Sequence, residues 1–271
     1  MKILSVDSSS VTASVAITEN GKILSEKFIN NGLTHSQTLM PMVEKTINDS
    51  GISINEVDLF AITNGPGSFT GVRIGIASVK GMADALNKKC FAVSTLEAIA
   101  EPLKNQDIIA CAVMDARCNQ VYTAIFNNGN RLCEDKAVLI DELGEELKQF
   151  NKKIVFIGDG SILCYEKLHE IIKDCEVADE NIRFVHGSSV GFVVEEKIKS
   201  PVGATNLSDN VNDKTQVSNV NNNSSLSSVS VNDNVMGAVN SSSKDDDKVE
   251  EKLPKEETDK KSDLVLIYRK K

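Results

Sequence analysis

The chain opens on strands joined by turns too tight to allow any but antiparallel neighbours. Lys2 to Val6 reads as the first strand and Thr12 to Thr18 as the second, with Ala13, Val15 and Ile17 on one face by period-two alternation. Asp7-Ser8-Ser9-Ser10 lies between them. Asn20-Gly21 is a strong two-residue hairpin signal and leads into a third strand over about Lys22 to Ile29. A helix should follow. Thr34 and Gln37 fit the N-cap and N3 positions of a capping box, and Leu39, Met42, Val43, Thr46 and Ile47 recur on one helical face. Pro41 inside this segment should kink it or remove one hydrogen bond, and Gly51 should end it. Val57 to Thr63 is then a buried strand, so strands and helices alternate as in an α/β protein.

The next stretch, Gly65-Pro66-Gly67-Ser68-Phe69-Thr70-Gly71-Val72-Arg73-Ile74-Gly75, sits between a strand and a helix. A loop there could present backbone amides to an anion. Spacing excludes two familiar phosphate motifs. A P-loop needs Gly-Lys and then Ser or Thr where Gly71-Val72-Arg73 stands, and the third glycine comes one position late for a dinucleotide fingerprint. The helix predicted from Gly71 to Leu86 carries Gly75, Ala77, Ser78, Gly81, Ala83 and Ala85. Glycine inside a helix costs about 1 kcal/mol against alanine. Close approach of a second helix would account for these small residues, and so would tight packing on the helix's own sheet.

Composition divides the chain near residue 200. From Pro201 to about Ser262 the sequence is Asn/Ser-rich, then rich in Lys, Asp and Glu, with few large apolar residues. Such a segment cannot bury enough surface to offset its chain entropy and is expected to be a disordered insertion. Leu264 to Tyr268 then reads as one more strand. The net charge of -9 and the absence of Trp argue against a stand-alone nucleic-acid binder. The six Cys form no CxxC pair. With Met1-Lys2 running straight into a strand and no long apolar run, the expectation is reduced thiols in a cytoplasmic chain without a membrane span.

Three antiparallel strands at the start of an α/β chain resemble the opening of the actin, Hsp70 and sugar-kinase superfamily. The Gly65–Gly75 stretch, preceded by Thr34-His35-Ser36-Gln37-Thr38-Leu39-Met40-Pro41-Met42-Val43 and the Asp-Ser opening, looks like the TsaB (YeaZ) family. Met114-Asp115-Ala116-Arg117 with Val121-Tyr122 resembles that family's second-lobe strand pair, and Gly158-Asp159-Gly160 its later glycine turn. The resemblance covers about residues 1–199. It implies a two-lobe actin-like ATPase (RNase H-like) fold, with one lobe over residues 1–103 and a second over 104–200. The insertion would occupy residues 201–262, and the last strand 263–271. It also implies a non-catalytic subunit for threonylcarbamoylation of adenosine 37 in transfer RNA. That subunit would pair with the catalytic TsaD-type paralogue and be joined by the TsaE-type ATPase; the same helices could also pair two copies of the isolated chain as a homodimer, and the sequence leaves that state open. The pairing surface implied is a helical bundle over about Ser36–Asp49 and Gly71–Leu86. Its candidate contacts are Leu39, Met42, Val43, Gly71, Gly75, Ser78 and Met82. Two features depart from the family: the insertion, and the ending Leu266-Ile267-Tyr268-Arg269 where Pro-x-Tyr-x-Arg is usual.

The catalytic paralogue carries an HxxxH pair, whose i, i+4 spacing puts two ligands on one helix face. The three His of this chain are His35, His169 and His186, and none are four apart. No catalytic residue and no metal ligand is assigned. His35, near the start of the first long helix, reads as a capping or surface residue. For ATP or ADP with magnesium, Asp7, Asp115, Gly158 and Gly160 stand at the matching places in chain order. The alternative is that Asp7 caps its turn and Asp115 is a relic of the fold. A small actin-like kinase or ATPase using those carboxylates is the competing function. A metallopeptidase relative is a third, disfavoured by the missing His pair.

Overall fold

The computed structural model describes residues 1–30 and 34–199. The expected insertion at 201–262 and the strand within 263–271 lie outside the described residues. In chain order the first elements are β1 (Lys2–Asp7), β2 (Ala13–Glu19), β3 (Lys22–Ile29), α1 (His35–Ser50), β4 (Leu59–Thr63), α2 (Phe69–Ala85) and β5 (Lys89–Val93). There follow α3 (Thr95–Ala100), β6 (Ile109–Asp115), β7 (Gln120–Asn127), β8 (Asn130–Arg131), β9 (Lys136–Leu139) and α4 (Ile140–Leu147). The described part ends with β10 (Ile154–Ile157), α5 (Ser161–Leu168), β11 (Cys175–Val177), α6 (Glu180–Arg183) and α7 (Gly187–Lys199). No described helix is long and apolar enough to cross a membrane.

The strands make two sheets, and the second repeats the plan of the first. Sheet one has the order β3-β2-β1-β4-β5, with β1–β2 and β2–β3 antiparallel and β1–β4 and β4–β5 parallel. Sheet two runs β11-β10-β6-β7-β8, with β9 also on β7; β6–β7 is antiparallel while β6–β10 and β10–β11 are parallel. This duplicated order is the two-lobe actin-like fold. The Asn20-Gly21 hairpin takes the left-handed pair φ 51° and 75°, as a type I′ turn requires.

Strand alternation assigns the cores. Leu4, Val6, Ala13, Val15, Ile17, Phe60 and Ile62 face α1 and α2, meeting Leu39, Val43, Val79 and Ala83. The opposite face of sheet one, through Ile3, Leu59 and Ala61, joins Ala110, Ala112, Met114 and Phe126 of sheet two around Leu96, Ile99, Val190 and Val194. α3 and α7 thus supply the core that both lobes share. A third cluster seats α4 and α5 on the outer face of sheet two, where Cys111 and Cys164 lie buried. Burial pushes both thiols up, Cys164 to about 12, so they stay protonated packing groups.

Two local expectations change. Thr34 is the N-cap of α1, but its side chain caps nothing; the first turn is closed by the Thr34 carbonyl, which accepts from Gln37 N at 3.0 Å. The last helix, α7, which the sequence grouped with the second lobe, packs on β1 and β2 of sheet one. Gly187 allows this by lying against the backbone of Val15 and Ala16, where a Cβ would come within 2.7 Å of Ala16 N.

Candidate functional site

The carboxyl ends of β1, β6 and β10 carry the acidic candidates, as expected for ligand-facing ends in α/β proteins. Asp7 closes β1 and is wholly buried. Its Oδ1 accepts from Thr63 Oγ1 at 2.6 Å, Ser9 Oγ at 2.7 Å and Ser9 N at 3.3 Å. Its Oδ2 has no partner among the described residues. Burial raises the Asp7 pKa, against the hydrogen bonds from Ser9 and Thr63. Asp115 closes β6 on the exposed side, and its Oδ1 accepts from Arg117 N at 2.7 Å. That bond steadies a hairpin in which Arg117, Cys118 and Asn119 all take left-handed φ of 66°, 49° and 65°. Asp159, within the glycine turn after β10, accepts from Asp115 N at 3.0 Å. Burial raises its pKa, and the charges of Asp115 and Asp7 add to the rise. Asp159 is therefore bound to the end of β6 beside Asp115, and position in the motif was the only signal for it.

The residues fit a metal–nucleotide site poorly. Gly158 has φ 115° and a Cβ there would overlap the Val113 carbonyl; at Gly160 a Cβ would sit 3.1 Å from Asp115 N. Both glycines are thus required by the turn's packing on β6, with no ligand needed to explain them. The loop after β1 spends its polar groups internally. Ser8 Oγ donates to the Gly71 carbonyl at 2.9 Å, Ser68 N donates to the Ser9 carbonyl at 2.6 Å, and Thr12 N donates to Ser10 Oγ at 3.2 Å. His35 Nε2 lies 2.8 Å from the Ser10 carbonyl and donates to it, so His35 buttresses this loop instead of capping α1. The first turn of α2 packs directly on the backbone of Ser8 and Ser9. Among the described residues, no three His, Cys, Asp or Glu are placed to hold a metal ion.

The second candidate is the α1–α2 face, and here the structure corrects the sequence. Leu39, Met42 and Val43 are buried in their own lobe's core. Gly71 and Gly75 are buried too. A Cβ at Gly71 would overlap the Ser8 carbonyl, and one at Gly75 would overlap Ser8 Oγ and meet Ile62 Cδ1 at 3.0 Å. These five are unavailable to a partner, because the β1 loop and sheet one already occupy their faces. Ser78 and Met82 are half-buried, and Met82 packs against the same core. The side of α2 that does face outward is Phe69, Thr70, Arg73, Ala77, Lys80 and Gly81. On α1, Met40 is exposed between the buried Leu39 and Met42.

The family model described as TsaD, tRNA N6-adenosine threonylcarbamoyltransferase, matches residues 22–184. The tRNA threonylcarbamoyladenosine biosynthesis protein TsaB of Bacillus subtilis is 30% identical over 176 residues, 64% of this chain and 77% of the relative. TsaB of Escherichia coli is 34% identical over 167 residues, 59% of this chain and 72% of the relative. Among solved structures, YeaZ from Pseudomonas aeruginosa superposes with a TM-score of 0.61 at 25% identity, covering 72% of this chain and 92% of that one.

Proposed function

The chain belongs to the TsaB family of tRNA threonylcarbamoyladenosine biosynthesis proteins, and from that membership we propose that it is a non-catalytic partner subunit. It supports a TsaD-type paralogue that installs N6-threonylcarbamoyl on adenosine 37 of tRNAs reading ANN codons. A TsaE-type ATPase joins the pair, and tRNA is met through the complex.

The observation that carries the non-catalytic reading is the employment of the histidines. His35 supports the β1 loop through the Ser10 carbonyl, His169 Nδ1 contacts the Tyr165 carbonyl at 2.9 Å, and His186 pairs with Glu26 at 3.4 Å. They sit on three separate elements, so a two-histidine metal site of the paralogue's kind has no place to form. The loop after β1, closed by α2, supports the same reading.

The partner surface is the outward side of α1 and α2. Ala77 and Gly81 present backbone there with little side chain, and nothing lies within 4 Å of a Cβ added at Gly81. A facing helix can come to the short end of the roughly 8–10 Å packing range over such positions.

Co-expression of the full tagged chain with the TsaD-type paralogue of the same organism tests the proposal. The two should co-purify, and depletion of this chain should lower threonylcarbamoyladenosine in bulk tRNA, read by nucleoside mass spectrometry. The purified chain alone should transfer no threonylcarbamoyl group. Sustained turnover of ATP by the chain alone, abolished by Asp115→Ala in a variant with an unchanged melting curve, would reject the proposal in favour of a kinase or ATPase.

A further inference from the structure

We infer that Phe69 and Arg73 form the anchor of the partner contact, and that the partner helix offers a carboxylate to Arg73 beside an apolar socket for Phe69. This rests on the reading of the α1–α2 face as the pairing surface.

Phe69 is 68% exposed, more than any other large apolar side chain among the described residues. It stands on the first turn of a helix of 17 residues, in line with the exposed Arg73, Ala77 and Gly81 and off the buried stripe of Gly71, Gly75, Val79 and Ala83. One turn on, the Arg73 guanidinium carbon lies 3.4 Å from the centre of the Phe69 ring. Stacking of this kind holds both side chains in one rotamer and so lowers the entropy lost when a partner arrives. At that distance the guanidinium lies against the ring, and Arg73 makes no side-chain hydrogen bond among the described residues. Among the described residues no carboxylate lies within 4.0 Å of Arg73 or of Arg117, whereas Arg131 has two and Arg183 one. A planar guanidinium edge is matched best by a carboxylate, which it can bind through two parallel hydrogen bonds.

The rest of the ridge fits the same occupant. Phe69, Arg73, Ala77 and Gly81 follow at intervals of four along the exposed side of α2. One end is therefore a large knob and the other a shallow groove. A helix lying along Ala77 and Gly81 would bring its end against Phe69 and Arg73. Aromatic and arginine side chains of this type are the usual centres of binding energy in protein interfaces.

Affinity between the full chain and the TsaD-type paralogue of the same organism provides the test, by calorimetric titration. Phe69→Ala and Arg73→Glu should each weaken binding more than tenfold, and Arg73→Lys less than Arg73→Glu, because it keeps the charge and loses the fork. Raising salt should weaken the wild type more than Arg73→Ala. Both side chains are exposed, so thermal midpoints should stay at the wild-type value; a clear fall for Phe69→Ala would mean that it serves the fold, and would overturn the inference. Binding of Phe69→Ala and Arg73→Glu within threefold of wild type would also overturn it. In that event Ala77→Leu separates the levels. Loss of binding in Ala77→Leu leaves the face as the pairing surface with its anchor elsewhere, and normal binding rejects the face as well.

Discussion

Glycines in α2 look alike in the sequence and do opposite work. Gly71 touches the Ser8 carbonyl, a backbone atom that also belongs to the loop closed by Ser68 and Ser9. Gly71→Ala should therefore destabilise the protein by about 1–3 kcal/mol, the ordinary cost of overpacking a rigid site. Gly81 is exposed in the same helix with open space around it. Gly81→Ala should stabilise by up to about 1 kcal/mol through helix propensity alone. Urea unfolding of both variants checks the pair, and equal shifts of one sign would contradict this assignment of contacts.

At the scale of elements, α7 shows how side chains from elsewhere position a helix. Ser188 N donates to Glu26 Oε1 at 2.8 Å and Gly187 N to Ser14 Oγ at 2.8 Å, so β2 and β3 cap its first turn. Its buried Glu195 accepts from Gly21 N at 2.8 Å and ties the far end to the β2–β3 hairpin. His186, just before α7, lies 3.4 Å from Glu26 Oε2 and 3.0 Å from the Asn181 carbonyl. Both partners are acceptors, so the ring makes both bonds only as the imidazolium. The Glu26 hydrogen bond raises the His186 pKa, against burial. Burial opposes ionisation of Glu26, but the bonds from His186 and Ser188 outweigh it and lower its pKa. The two shifts set a window. The His186 contribution is complete below its unfolded pKa, about 6.5, and fades as pH rises through the raised folded value. The Glu26 contribution is complete above about 4.3 and fades as pH falls through the lowered folded value. Stability should thus fall by on the order of 1 kcal/mol as the solution turns alkaline, a modest size because the pair is partly exposed. Denaturant midpoints at mildly acidic and mildly alkaline pH should show this drop in the wild type and much less of it in His186→Asn.

For the molecule as a whole, the core shared by α3 and α7 makes the lobes one thermodynamic unit. Ile3, Leu59 and Ala61 from sheet one and Ala112, Met114 and Phe126 from sheet two lie in the same buried cluster. Calorimetry of the described body should therefore give a single transition whose van't Hoff and calorimetric enthalpies agree. Two resolved transitions would mean that the lobes are energetically separate. The poor fit of the β1 loop to a phosphate group leads to a second expectation. Magnesium–ATP in millimolar excess should leave the melting midpoint of the isolated chain in place. A ligand present at about a hundred times its Kd would add about 2.7 kcal/mol, so saturating occupancy would be easy to see.

The strand alternation, the Asn20-Gly21 turn and the Gly51 stop are local, each decided by sterics within a few residues, and all could be read directly from the residues. Asp7, Asp115 and the glycine turn after β10 were likewise visible as motif positions. What could not be read is which neighbour each residue meets. Leu39, Val43 and Gly75 are periodic apolar or small positions, and periodicity names a face without naming what lies opposite it. Only the chain's path places Ser8 against Gly71 and Gly75, a separation of over sixty residues, and so turns an interface stripe into an internal seam. The same holds for α7, whose caps, Glu26 and Ser14, come from strands 162 and 173 residues earlier. Sequence by itself determined the elements and the family, because both depend on short-range pattern. Tertiary structure alone decided which side of α2 faces outward, because that depends on long-range packing.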